Sequence, residues 1–228
     1  MKKELGIIKP QHLTEDWPGK YKFFSWLEYV VTIPNPIFLI TTLKENGKSN
    51  ACLHSWGMLV GEDNKFMSLL AVMKHGHTYK NIKREKEWCI NYPNQKDYPQ
   101  SFDTIEHNGL DNDEITDAGF HIEQSQVIKT PRIQESNINL ECKFSWEKDL
   151  FPNSNWSILC GEVVNVAMIE EAMVSVPEER IKRLGLMYNV RSTINPQDGS
   201  QYGPNTLGMI NEVIRITSDD GFTKLWKE

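Results

Sequence analysis

The chain has 228 residues with 39% hydrophobic content and seven Trp, enough apolar material for one large domain and too much for general disorder. A formal net charge of −6 and a pI near 5.6 argue against a basic nucleic-acid footprint. No apolar run approaches bilayer-spanning length and the charged N-terminus lacks a signal-peptide core, so a soluble, cytoplasmic chain without a membrane partner is expected.

Residues 1 to about 20, punctuated by Pro10 and Pro18, read as an extended arm. Aromatic and β-branched residues over 23–32 predict a lead into the first strand. Residues 37–43 form an apolar strand after Pro34 and Pro36, and Asn46-Gly47 predicts a hairpin turn because both residues tolerate positive φ. A second strand is expected over 50–56 and a buried one over 66–73. Thr78 is placed to cap a short helix ending near Lys86. Residues 87–92 return to strand before Pro93, and 94–118 hold loops and helical turns.

Three more strands are expected over 120–128, 138–146 and 156–168. In the second, Leu140, Cys142 and Phe144 alternate with Glu141, Lys143 and Ser145, which predicts one buried face. Pro177 followed by Glu178 and Glu179 opens a helix, and residues 192–206 form a long loop. No repeat or linker divides the chain, so it reads as a single domain, with a core over about 22–170 and a C-terminal extension over 171–228. Antiparallel strands at hairpin spacing with a few short helices define a mainly β barrel with helical insertions.

Two constellations carry chemistry. The run Asn50-Ala51-Cys52-Leu53-His54-Ser55-Trp56 puts small and amide groups where a backbone must approach a ligand, with Asn50, Cys52, His54 and Trp56 on one strand face. Lys74-His75-Gly76-His77-Thr78 combines a cation, imidazoles, a flexible Gly and a hydroxyl at a helix start, which suits an anion. Together they suit a planar ligand bearing a phosphate. His75 and His77 have no companion carboxylate or thiolate at metal-ligand spacing, so no metal is expected. Cys89, Cys142 and Cys160 sit in apolar runs as small buried thiols, whereas Cys52 lies in the ligand run. Gly-x-Ser-x-Gly, Gly-x-Gly-x-x-Gly and the nucleotide phosphate loop do not occur.

Pro36 to Thr42, Asn50-Ala51, Ser55-Trp56 and His77-Thr78-Tyr79-Lys80-Asn81-Ile82 resemble the FMN-binding split-barrel flavin reductases, flavoredoxin-like members included. The resemblance continues through Asp117-Ala118-Gly119-Phe120, Pro131-Arg132-Ile133, Leu140-Glu141-Cys142 and Gly161-Glu162-Val163, covering roughly residues 33 to 170. It implies a split β-barrel with flavin as partner. The residues from Asn50 to Trp56 would lie along the ring of FMN, and Lys74, His77, Thr78 and Asn81 would line its ribityl phosphate. The chain departs from the family where Cys52, Leu53 and His54 replace frequent Thr or Ser, and where residues 56–68 lack a Ser-x-x-Pro-Pro turn.

The implied function is an FMN-dependent oxidoreductase of flavin reductase type, with NADH or NADPH as donor. The alternatives are a non-catalytic flavin-binding electron carrier or sensor, and a barrel that has lost flavin and acts through dimer contacts. No residue is assigned as general acid or base, while Cys52 and His54 are placed to tune the ring. FMN rather than FAD is expected, because the anion turn offers few cations and no dinucleotide fingerprint accompanies it. A homodimer is expected to complete the site, with Tyr188, Arg191 and Tyr202 as cover for a half-exposed ring.

Overall fold

The computed structural model describes residues 1–201 and 206–214, so Tyr202 lies outside the described residues. The segment expected to lead into a strand instead forms two short helices, α1 (Lys20–Phe23) and α2 (Trp26–Val31). A capping box decides it: the Ser25 hydroxyl accepts from the Leu27 N–H while Glu28 accepts from the Ser25 N–H, satisfying donors that a strand would have to pair elsewhere.

The expected strands follow as β2 (Phe38–Leu43) and β3 (Ser49–His54), preceded by the two-residue β1 (Asn35–Pro36). Of Asn46-Gly47 only Gly47 takes positive φ, at 81°. An unforeseen β4 (Gly57–Glu62) pairs with β5 (Lys65–Met73). Its Met58, Leu59 and Val60 are all exposed, so no alternation of burial marks it. Next come α3 (His77–Glu85) and β6 (Glu87–Tyr92). Gly76, not Thr78, is the N-cap of α3; the Thr78 hydroxyl accepts from Asn50 Nδ2 at 3.1 Å instead.

After α4 (Tyr98–Glu106) and α5 (Glu114–Asp117), only two residues of the expected 120–128 strand are extended, as β7 (Ile122–Glu123) against β8 (Arg132–Ile133). The N–H groups of Gln126, Val127 and Ile128 donate to the Glu141 carboxylate, so they make no ladder. Glu141 itself corrects the expected alternation: on β9 (Ile138–Asp149) it is fully buried beside Leu140 and Cys142, while Phe144 is only partly so. β10 (Trp156–Met168) and α6 (Pro177–Leu184) form as expected, and β11 (Met187–Arg191) and β12 (Thr206–Met209) bound the 192–206 segment.

The main sheet has the order β3-β2-β6-β9-β10-β5-β4, with antiparallel neighbours throughout. Its two outermost strands, β3 and β4, are joined by Ser55 and Trp56 alone. Two residues reach only about 10 Å, so the sheet must curl until its edges approach. The result is a split barrel, in which the Ala71 N–H donating to the Trp56 carbonyl carries the β4–β5 pairing into the β3–β4 link. Phe38, Ile40, Leu70, Trp88, Ile90 and Leu140 fill the interior, and Ile82 of α3 plugs it. Gly161 is required where β10 crosses Trp88, since a Cβ there would overlap the indole ring. Outside β2 and β3 a second cluster joins Leu39 and Ala51 to Ile115, Phe120 and Ile133. A smaller sheet, β1-β11-β12, returns the C-terminal segment across the front of the barrel.

Candidate functional site

Alternation along β3 divides the ligand run into two faces. Asn50, Cys52 and His54 turn inward, with Cys52 against the interior core, whereas Ala51 and Leu53 pack on the outer cluster. Trp56 lies beyond the strand. The inward residues near α3 form a buried polar lattice: Asn50 donates to Thr78, and Asn81 Nδ2 donates to Thr42 Oγ1 at 3.0 Å. Burial pushes the Cys52 thiol up to about 11, with a hydrogen bond to Thr78 opposing. That thiol is a packed neutral group. His54 is also enclosed; burial lowers it to about 4, and its Nε2 meets the Ala71 carbonyl at 2.9 Å.

The outward edge of β3 is where backbone is offered. Ser49 N–H donates to Asp113 Oδ2 at 3.1 Å and Ala51 N–H to Glu114 Oε2 at 2.9 Å. In an antiparallel pair N–H groups alternate between partner and free edge, so Leu53 is the next to point outward. Glu114 is buried and pairs with Lys44 at 2.9 Å; burial raises its carboxyl, and the bonds from Lys44 and Ala51 oppose the rise.

At one end of β3 a cleft of about 310 Å³ is lined by Leu53, His54, Ser55, Trp56, Asn189 and Arg191, with further apolar walls. Asn189 Nδ2 donates to Ser55 Oγ at 3.1 Å, and the Arg191 guanidinium sits 4.7 Å from the Trp56 ring centroid. Arg191, expected as cover across a dimer, thus rests on its own chain. Towards the other end α3 begins without a side-chain cap and without an acidic residue in its first turn. Its free N–H groups and dipole present partial positive charge. His77 Nδ1 is buried there without a hydrogen-bond partner, which fits an absent polar group. Lys74 is ion-paired to Asp149 at 2.8 Å, with both side chains partly exposed.

The expected residues therefore fall into a cleft set (Leu53 to Trp56), a lattice set (Asn50, Cys52, Thr78, Asn81) and a helix-start pair (Lys74, His77), with Ala51 on the outer cluster. Sequence reasoning missed Glu28, Asn189 and Glu114. Only Glu28 carried a local signal, the Ser25-x-x-Glu28 capping pattern.

Residues 30–190 match the flavin reductase like domain, and the chain belongs to that family. Its fold is similar to that of nitrilotriacetate monooxygenase component B from Bacillus cereus, with a TM-score of 0.72 and 17% identity, over 94% of this chain and all of that one. The 2-nitrobenzoate 2-nitroreductase NbaA of Pseudomonas fluorescens gives 0.63 and 25% identity, over 86% of this chain and 90% of that one. The flavoredoxin of Desulfovibrio vulgaris (Miyazaki F) gives 0.66 and 15% identity, over 82% and 93%. Among the described residues no helix is long and apolar enough to cross a membrane.

Proposed function

We propose that the chain is an FMN-binding oxidoreductase of flavin reductase type, passing electrons between NADH or NADPH, flavin and an acceptor. The observation that carries this is the layout along β3: an outward Leu53 N–H and the Trp56 cleft at one end, an uncapped helix start with an orphaned His77 nitrogen at the other. Six strand residues span about 20 Å. That length accommodates a planar ring on the outward Leu53 edge, beside the cleft, and a phosphate at α3.

In this reading the flavin supplies the electron chemistry when bound, and the chain supplies position and field. The Leu53 N–H orients the ring edge. The first-turn N–H groups of α3, His77 and Lys74 hold the phosphate, Lys74 exchanging with Asp149 for it. Asn50, Cys52, Thr78 and Asn81 keep α3 in register with β3. The chain acts as one domain, core 22–170 with a 171–228 extension, in the cytoplasm. A homodimer completes the flavin site, because a ring on the outer strands of one barrel would stay half exposed.

The test is a visible spectrum of freshly purified protein before and after anaerobic NADH or NADPH, with mass spectrometry of the heat-released ligand. Bleaching of a flavin band and release of FMN are expected. FAD as the main species would overturn the cofactor assignment. Bound FMN with no response to either nicotinamide would shift the reading to a non-catalytic electron carrier.

A further inference from the structure

We infer that the Trp56 cleft is a receptor for a small planar aromatic carboxylate, held by Arg191 against the indole ring. Trp56 is a shared wall of three cavities of about 300, 440 and 310 Å³, and Arg191 lines the first and third. These volumes lie at the low end for ligand sites, so the occupant is small. The third cavity has apolar walls from Ile37, Leu53, Phe102 and Ile105 around one cation. A planar apolar body with one negative group matches that lining.

Arg191 is aimed by its backbone. It stands at φ 63°, just past a register shift between Asn189 and Arg191 in the β11–β12 pairing. A bulge re-aims a side chain, and a non-Gly residue held in the left-handed region marks a position that its surroundings over-determine. The guanidinium lies over Trp56 and 5.7 Å from the Tyr29 centroid, so a flat anion engaging its edge would continue the stack.

A simple staple between β11 and α2 would explain the Arg191–Glu28 ion pair, Nη2 to Oε2 at 2.5 Å. Glu28 is already committed, however. Its Oε1 accepts from the Ser25 N–H at 3.3 Å and its Oε2 also accepts from Trp56 Nε1 at 3.1 Å. Among the described residues Arg191 ion-pairs with no second carboxylate, and Nη2 is the nitrogen that meets Glu28. A carboxylate from the cleft would supply the bidentate partner. Glu28 and Tyr29 precede the family domain at 30–190 and Arg191 follows it. The cation and its carboxylate partner thus come from the flanks of the domain, whereas Trp56 and the apolar walls belong to it. That the bound molecule is the electron acceptor rests on the function proposed above; the binding does not.

Calorimetric titration of the full chain with benzoate and with neutral, isosteric benzamide tests this. Benzoate should bind at least tenfold more tightly. Arg191→Gln should erase that preference. Glu28→Gln keeps the capping box, since Gln serves at that position, and removes the competing charge, so benzoate should tighten severalfold. Equal binding of the two probes by the native chain overturns the inference, as does a preference that survives R191Q or a benzoate affinity that E28Q leaves unchanged. If R191Q does not fold, the native comparison and E28Q still decide. FMN binding is followed by flavin fluorescence in the same samples. Lost benzoate preference with normal FMN binding overturns this inference alone; retained preference without FMN binding overturns the proposed function alone.

Discussion

A backbone carbonyl only accepts, so the 2.9 Å contact to Ala71 makes Nε2 the protonated nitrogen of His54. The ring also packs 5.6 Å from Phe38 and 5.3 Å from Trp56, an apolar setting that disfavours a second proton. Burial lowers its pKa from 6.5 to about 4 against the opposing hydrogen bonds to Ala71 and Trp56. Between those values the unfolded chain binds a proton that the folded chain refuses, so stability falls as pH drops from about 6.5 to about 4. The full interval corresponds to a loss on the order of 3 kcal/mol. Urea midpoints measured from pH 7 to 4.5 should fall less for His54→Gln than for the native chain. Parallel slopes would remove His54 as the cause.

At the scale of elements, α3 is both plug and ligand end, and the two roles separate by substitution. Thr78→Val keeps the shape but leaves the buried Asn50 amide without its acceptor, costing about 1–3 kcal/mol of stability. Lys74→Ala breaks only a part-exposed pair with Asp149, worth under about 1 kcal/mol. Combined, they should weaken FMN binding at least roughly tenfold, about 1.4 kcal/mol, and riboflavin binding much less. Equal losses for both ligands, read by flavin fluorescence below the melting transition, would remove Lys74 and the start of α3 from the phosphate role. Periodicity made β2, β3, β5, β6, β9 and β10 legible because each buries a side chain into one core. It failed where a distant group took the hydrogen bonds: Glu141 captures the N–H groups of 126–128 from another strand. It failed again at 23–32, where aromatic composition outweighed a capping box present in the letters. The chemical run from Asn50 to Trp56 was legible, but its partners were not. Glu28 lies 28 residues from Trp56 and Asn189 lies 134 from Ser55, distances that only the closed topology removes.

For the whole molecule, the open question is what covers the outer strands. Asn189 and Arg191 are engaged with their own chain, and the exposed strand β4 offers a second copy a further surface. β4 is a terminal strand of the main sheet, and Met58, Leu59 and Val60 on it are exposed together with Phe66 on β5. Isolated edges are usually blunted by Lys or Pro, and β4 contains neither. An apolar row on an unpaired edge is a template for association, and two-fold pairing of like strands is the commonest closed solution. The holo-protein should therefore sediment near twice 26.4 kDa. Val60→Lys places a charge in the middle of that edge and should shift the equilibrium towards monomer, with flavin fluorescence rising as the shared site opens. A dimer that V60K leaves intact would move the interface off β4, and a stable native monomer with full FMN affinity would end the shared-site proposal.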